Sequence, residues 1–157
     1  MAANVTIRQI ADPKEKQRVA SLVLQALPEW FGIPESTRKY IDDSASQDCV
    51  AAYIGDQPIG FLCLKETGKS TVELAVMGVM KHSHHRGIGT ALFEKGKQIA
   101  LQKGYAFMQV KTVQMGRYEQ YDQTNRFYMS LGFKELEVFP LLWDEWNPCQ
   151  IYVMALR

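Results

Sequence analysis

The segment Val79-Met80-Lys81-His82-Ser83-His84-His85-Arg86-Gly87-Ile88-Gly89-Thr90-Ala91-Leu92 concentrates residue types that can hold an anion. An apolar run ends at Val79, a basic polar loop follows, and two glycines spaced by one residue open a stretch of helical periodicity. Glycines at such a junction let the backbone turn tightly and bring successive N–H groups close to a ligand. The unpaired N–H groups of a helix start, with its partial positive charge, favour a phosphate. Lys81 and Arg86 add full charges. The loop is not a P-loop, because G-x-x-x-x-G-K-S/T is absent. It is also a poor dinucleotide fingerprint, because Leu92 stands where the third glycine of G-x-G-x-x-G belongs. From the glycines alone, a phosphate cradle and a plain helix entry are equally good readings. His82, His84 and His85 share the segment with no carboxylate to complete a metal site, so no metal is expected.

The charge pattern is compatible with a small anionic ligand. The 157 residues carry 18 Lys plus Arg against 17 Asp plus Glu, a net charge of +1, too little to argue for nucleic acid. Residues 81–111 hold six basic side chains against Glu94 alone, while the flanking segments are each slightly acidic. A bound anion of limited size would suit that segment, although on charge alone a solvated helix face is the simpler account. The chain is 46% hydrophobic and 22% charged, the composition of a globular protein, and its length suits one domain over residues 1–157. Cys49, Cys63 and Cys149 are odd in number and lack C-x-x-C spacing, which indicates neither a disulfide framework nor a thiolate zinc site. The stretch Met1–Arg8 has no apolar signal core, and no run is long enough to span a bilayer, so a cytoplasmic location without membrane contact is expected.

The elements that must position the loop follow from periodicity. Asn4 to Ile10 alternates as a first strand, and Asp12-Pro13 caps a helix running to Leu27 with Val19, Leu22, Val23 and Ala26 at helical spacing. A second helix follows Pro34, from Glu35 to Ala45. Strands over Cys49–Ile54 and Ile59–Lys65 flank the turn Gly55-Asp56-Gln57-Pro58, and Thr71–Met80 completes a meander. Gly87 to Lys103 reads as a helix stopped by Gly104, Tyr105 to Val113 as a strand, Asp122 to Leu131 as a short helix, and Phe133–Phe139 and Cys149–Leu156 as closing strands. The order β-α-α-β-β-β-α-β-α-β-β predicts an α/β fold with a mixed sheet of about seven strands flanked by about four helices.

The spacing from Val79 to His84-His85-Arg86-Gly87-Ile88-Gly89-Thr90 resembles the acetyl-CoA pyrophosphate motif of the GNAT N-acetyltransferase superfamily, Q/R-x-x-G-x-G-A/G. A second segment, Asn125-Arg126-Phe127-Tyr128-Met129-Ser130-Leu131-Gly132-Phe133, is similar to that family's N-x-x-F/A-Y-x-x-x-G-F. The element order resembles the same family over essentially the whole chain, implying a mostly antiparallel GNAT-like sheet. His84 stands where Gln or Arg is usual, and Thr90 where Gly or Ala is common. The resemblance implies acetyl-CoA as cosubstrate, held by the loop from His84 to Thr90, by the backbone of Met77 and Val79, and by Asn125. It also implies transfer of the acetyl group to a primary amine by direct attack. Tyr128 is the implied acid for the leaving thiolate, since a phenol is neutral at pH 7 and can donate its proton. Glu73 lies six residues before Val79, the spacing at which some family members carry a catalytic Glu. Strand alternation places it with Ala75, Met77 and Val79, away from Leu74 and Val76. A base role and a charge at the solvent end of the strand both stand for it.

In this fold the acceptor is usually met by the segment between the first two helices and by later loops. These hold Glu29 and Trp30, then Tyr118 and Tyr121, then Trp143. Aromatics interleaved with carboxylates suit an ammonium on an organic body, and ordinary loop surface suits the same residues. A small-molecule amine or a peptide is the expected partner, and a homodimer through the closing strands is compatible with the fold. A non-catalytic acyl-CoA-binding sensor of the same fold is the alternative. A Rossmann-like nucleotide domain is opposed by the missing third glycine and the meander.

Overall fold

The computed structural model describes residues 4–157; Met1–Ala3, part of the stretch read for a leader, lie outside the described residues. Its elements run β1 (Val5–Ile10), α1 (Pro13–Gln25), α2 (Pro34–Ser44), β2 (Asp48–Ile54), β3 (Gln57–Gly68), β4 (Thr71–Val79), a 3-10 turn (Lys81–Ser83), α3 (Ile88–Gln102), β5 (Phe107–Val113), α4 (Glu119–Ser130), β6 (Lys134–Asp144) and β7 (Asn147–Ala155). Seven strands form one mixed sheet in the order β1-β2-β3-β4-β5-β7-β6. The β4/β5 pair is parallel over Thr71–Glu73, and the β1/β2, β2/β3, β5/β7 and β6/β7 pairs are antiparallel. The chain falls into two compact units, residues 4–65 with 75–99, and residues 66–74 with 100–157.

In the first unit, Asp12 caps α1 by accepting from the Lys14 N–H at 3.2 Å, and Pro13 fills the first helical position, where no N–H is needed. Val19, Ala20, Val23 and Leu24 then form one buried stripe. They pack with Leu27, Ala51, Tyr53, Phe61 and Val76 into a core against which Trp30, Phe31 and Met80 lie half-buried. Gly55, at φ +60°, makes the tight β2–β3 turn, with Ile54 paired to Gln57. Cys49 and Cys63 face each other across β2 and β3 as buried free thiols.

In the second unit, β5 pairs along its whole length with β7, from Phe107↔Ala155 to Val113↔Cys149. Helix α4 begins at Glu119, earlier than Asp122. Asp122 sits inside the first turn and accepts from the Gly116 N–H at 2.7 Å, so its carboxylate caps the preceding loop rather than the helix. Strand β6 runs five residues beyond Phe139, through Pro140, which an edge strand tolerates because one row of its backbone groups needs no partner. Between the pairs Phe139↔Cys149 and Asp144↔Asn147 it carries extra residues, leaving Leu141, Leu142 and Trp143 exposed. Asp144 closes the turn by accepting from the Trp146 and Asn147 N–H groups, both at 2.9 Å.

Candidate active site

The glycine loop lies in the first unit, between the end of β4 and α3. Along β4 burial alternates residue by residue: Val72, Leu74, Val76 and Gly78 are buried, while Glu73, Ala75, Met77 and Val79 are half-buried. The last two therefore share the face that also bears Glu73. After the 3-10 turn the backbone enters the left-handed region twice, at His85 (φ +61°) and Gly87 (φ +77°), and Ile88 starts the helix. Left-handed backbone beside helical backbone turns successive N–H groups toward one side, the geometry of an anion nest. The first turn of α3 carries no acidic side chain, and His85, Arg86, Gly87 and Thr90 are exposed while Gly89 is half-buried. Ile88 is buried and anchors the helix start. These features fit a pyrophosphate.

The histidines do different work from one another. His84 Nε2 lies 2.5 Å from the Val79 carbonyl oxygen, and its ring meets Trp30 edge to face at 5.9 Å between centroids. His85 is exposed, its ring 6.2 Å from that of His84. Among the described residues no group of three or more His, Cys, Asp or Glu is placed to hold a metal ion. Lys81 is engaged as well: its Nζ lies 2.5 Å from Glu29 Oε1, and the ammonium, first through its hydrogen bond, lowers the Glu29 carboxyl below the usual range. Glu29, read from the sequence as an acid for an acceptor ammonium, is thus held by a lysine of the neighbouring loop.

The second unit holds Glu73, Tyr128, Asn125, Tyr118, Tyr121 and Trp143. Glu73 does not stand among apolar neighbours alone. Its Oε1 is 3.0 Å from Lys111 Nζ on β5, with the two side chains only 13% and 31% exposed. The sequence reading missed Lys111, counting it only as charge. Parallel pairing of Glu73 with Gln109 brings it alongside, and nothing in the sequence states that register. Tyr128 is buried on α4 with its ring against Phe133 (5.9 Å) and Tyr152 (6.4 Å). Asn125, one turn earlier, is fully buried. Its amide donates to the Val113 carbonyl at 2.8 Å and the Tyr121 carbonyl at 2.7 Å, and its Oδ1 accepts from the Tyr152 hydroxyl at 2.6 Å. Those bonds tie α4 to β5 and β7 and leave the amide without a spare N–H for the cofactor. Tyr118 and Tyr121 meet edge to face at 6.0 Å, and Trp143 is exposed on β6. Cys149 is buried, and burial raises its thiol to about 11, which suits a small hydrophobe rather than a nucleophile. No helix among the described residues is long and apolar enough to cross a membrane.

Residues 45–135, more than half of the chain and including both glycine loop and Tyr128 segment, match the family model of the acetyltransferase (GNAT) domain. The chain belongs to the GNAT acetyltransferase family. No curated protein sequence matches it. Among solved structures it is similar to a GNAT-family protein from Desulfovibrio desulfuricans, at 23% identity and a TM-score of 0.79 over 98% of this chain and 100% of that one. An aminoglycoside 6'-N-acetyltransferase from Enterococcus faecium aligns at 19% identity and a TM-score of 0.76, with 97% of each chain covered. The Salmonella typhimurium protein yncA, solved with its cofactor acetyl-CoA, aligns at 17% identity and a TM-score of 0.75, over 99% of this chain and 95% of that one. At these identities the likeness establishes the seven-stranded GNAT fold.

Proposed function

We propose that this protein moves an acetyl group from acetyl-CoA to a primary amine of a small molecule or peptide, by direct attack and without a covalent enzyme intermediate. The observation that carries this reading is the loop His84–Thr90, which turns left-handed at His85 and Gly87 and opens α3 inside the family-matched segment. The loop's backbone N–H groups receive the pyrophosphate, with Arg86 adding charge, and the Met77 and Val79 backbone meets the pantetheine arm. The amine nitrogen attacks the thioester carbonyl carbon, the new C–N bond forms, and the C–S bond breaks. Tyr128 donates its proton to the departing thiolate, and the proton lost by the amine passes to Glu73 through water. Asn125 serves the same step indirectly, by holding the helix that carries Tyr128.

Trp30, Tyr118, Tyr121 and Trp143 supply aromatic faces for an ammonium, and Glu29 the nearest carboxylate to Trp30 in sequence. Since one structural neighbour acts on aminoglycosides, these head the panel of acceptors, followed by polyamines, amino acids and short peptides. The test is free thiol released from acetyl-CoA across that panel. Turnover with one class establishes the transferase and selects the acceptor. Tight acetyl-CoA binding with silence across the panel favours the sensor, and absence of binding refutes the cofactor assignment.

A further inference from the structure

In the first unit one imidazole joins two segments that the proposed function gives to different substrates. His84 follows the 3-10 turn after β4, and its Nε2 lies 2.5 Å from the Val79 carbonyl oxygen. A carbonyl only accepts, so this nitrogen carries the proton and donates. The same ring stands edge to face with the Trp30 indole, 5.9 Å between centroids and 76° between planes, an arrangement aromatic pairs favour. Trp30 lies in the connection between α1 and α2. Its backbone N–H is bonded to the Leu27 carbonyl at 3.1 Å, and its side chain is packed against the buried core. The Lys81–Glu29 ion pair joins the same two segments, but both side chains are about half exposed, where such pairs contribute little. His84 adds a more buried tie between them.

We propose that His84 is a positioning residue that fixes the Val79 carbonyl for the pantetheine arm and transmits cofactor occupancy to Trp30 on the acceptor-side loop. The inference rests on the acetyl-CoA reading. The Val79 carbonyl has two lone pairs, so the imidazole N–H can hold one while a cofactor amide uses the other. Any shift of that carbonyl on binding moves the ring, and the ring bears directly on the indole.

Coenzyme A is the probe, and the protein is the full chain carrying Trp143→Phe and Trp146→Phe, which leaves Trp30 as its only tryptophan. Calorimetry gives the Kd, and tryptophan emission reads the environment of Trp30. Coenzyme A is expected to shift the emission at saturation. His84→Ala is expected to weaken binding about fivefold, the scale of one hydrogen bond, and to abolish the emission shift even at saturation. His84→Gln supplies an amide N–H but no ring, so it is expected to restore affinity to near the parent value without restoring the shift. That split separates positioning from a general loosening of the fold, which would impair both readouts in both variants. Tighter binding by His84→Ala overturns the proposal, because the ring would then compete for the carbonyl. Coenzyme A bound by the parent without an emission shift, or a shift that persists in His84→Ala, overturns the link to Trp30 while leaving the acetyl-CoA reading intact. A parent that binds no coenzyme A refutes that reading, and this inference with it.

Discussion

Replacing Gly87 by alanine separates what the glycine loop does for the fold from what it does for the cofactor. A Cβ built at Gly87 meets no heavy atom within 4 Å, so packing contributes nothing to the cost. The backbone does: at φ +77° an L-residue is disfavoured by about 1–2 kcal/mol. Gly55 provides an internal control, because its φ is +60° and its Cβ would also meet nothing within 4 Å. It sits in the two-residue turn between β2 and β3, where the paired strands hold the backbone in place. Gly55→Ala should therefore lower the stability of the free protein by the full strain, about 2–8 °C in Tm, and leave coenzyme A binding alone. In Gly87→Ala the loop is free to relax to negative φ, which turns its N–H groups away from the pyrophosphate. Binding must then restore the left-handed backbone, and the strain appears in the Kd as a loss of about 5–30-fold. Thermal unfolding of the free proteins and calorimetric titration with coenzyme A measure the two parts. A wild-type Kd in Gly87→Ala, alongside the expected stability loss in Gly55→Ala, would refute the pyrophosphate placement.

Tyr128→Phe keeps the ring packed against Phe133 and Tyr152 while removing the hydroxyl. Thiol release should fall roughly 10²-fold or more with coenzyme A affinity nearly unchanged, and undiminished turnover would remove Tyr128 from the chemistry. Lys111→Met leaves the mostly buried Glu73 carboxylate without its ammonium, so urea denaturation should show a loss of about 1–3 kcal/mol, partly recovered by adding Glu73→Gln. The hydrogen bond from Arg18, then that from Tyr53, hold the Glu15 carboxyl down at about 2 against burial. A depressed carboxyl stabilises the folded state above its unfolded value of 4.5 and loses that contribution as pH falls toward 2. With both side chains partly exposed the contribution is about 1 kcal/mol or less. The stability difference between the parent and Glu15→Gln should be constant above about pH 5 and shrink on acidification; growth on acidification would contradict the sign. Iodoacetamide at pH 8 should leave Cys149 and Cys63 unmodified in the native protein and label them after denaturation, since burial raises both thiols.

Element identity was legible because each element carries its own local signal. The Asp12-Pro13 cap, the Gly55 turn and the alternation of β4 read the same way in sequence and structure. The boundaries that moved have non-local causes. Asp122 has the chemistry of a helix cap and spends it on the Gly116 N–H six residues back, so α4 starts before it. Pro140 reads as a strand terminator, and only the knowledge that β6 is an edge lets the strand continue through it. The signal for that extension was present in Asp144-Glu145-Trp146-Asn147, a turn sequence with aspartate in first position.

The site divides along the same line. A pyrophosphate would be gripped by backbone N–H groups, and the left-handed backbone that favours glycine is visible in the sequence at Gly87. An acceptor is recognised by side chains, and a side chain's availability depends on what lies beside it. The sequence shows Glu29 and Glu73 as acids without naming their neighbours; Lys81 lies 2.5 Å from the first, and the β4/β5 register brings Lys111 to the second. Asn125 shows the limit most clearly. Its motif position is legible, yet its amide is consumed by Val113, Tyr121 and Tyr152, partners 12, 4 and 27 residues away in sequence. Two of those partners lie outside its own helix, where no spacing rule reaches, which is why the cofactor class can be read from this sequence and the acceptor cannot.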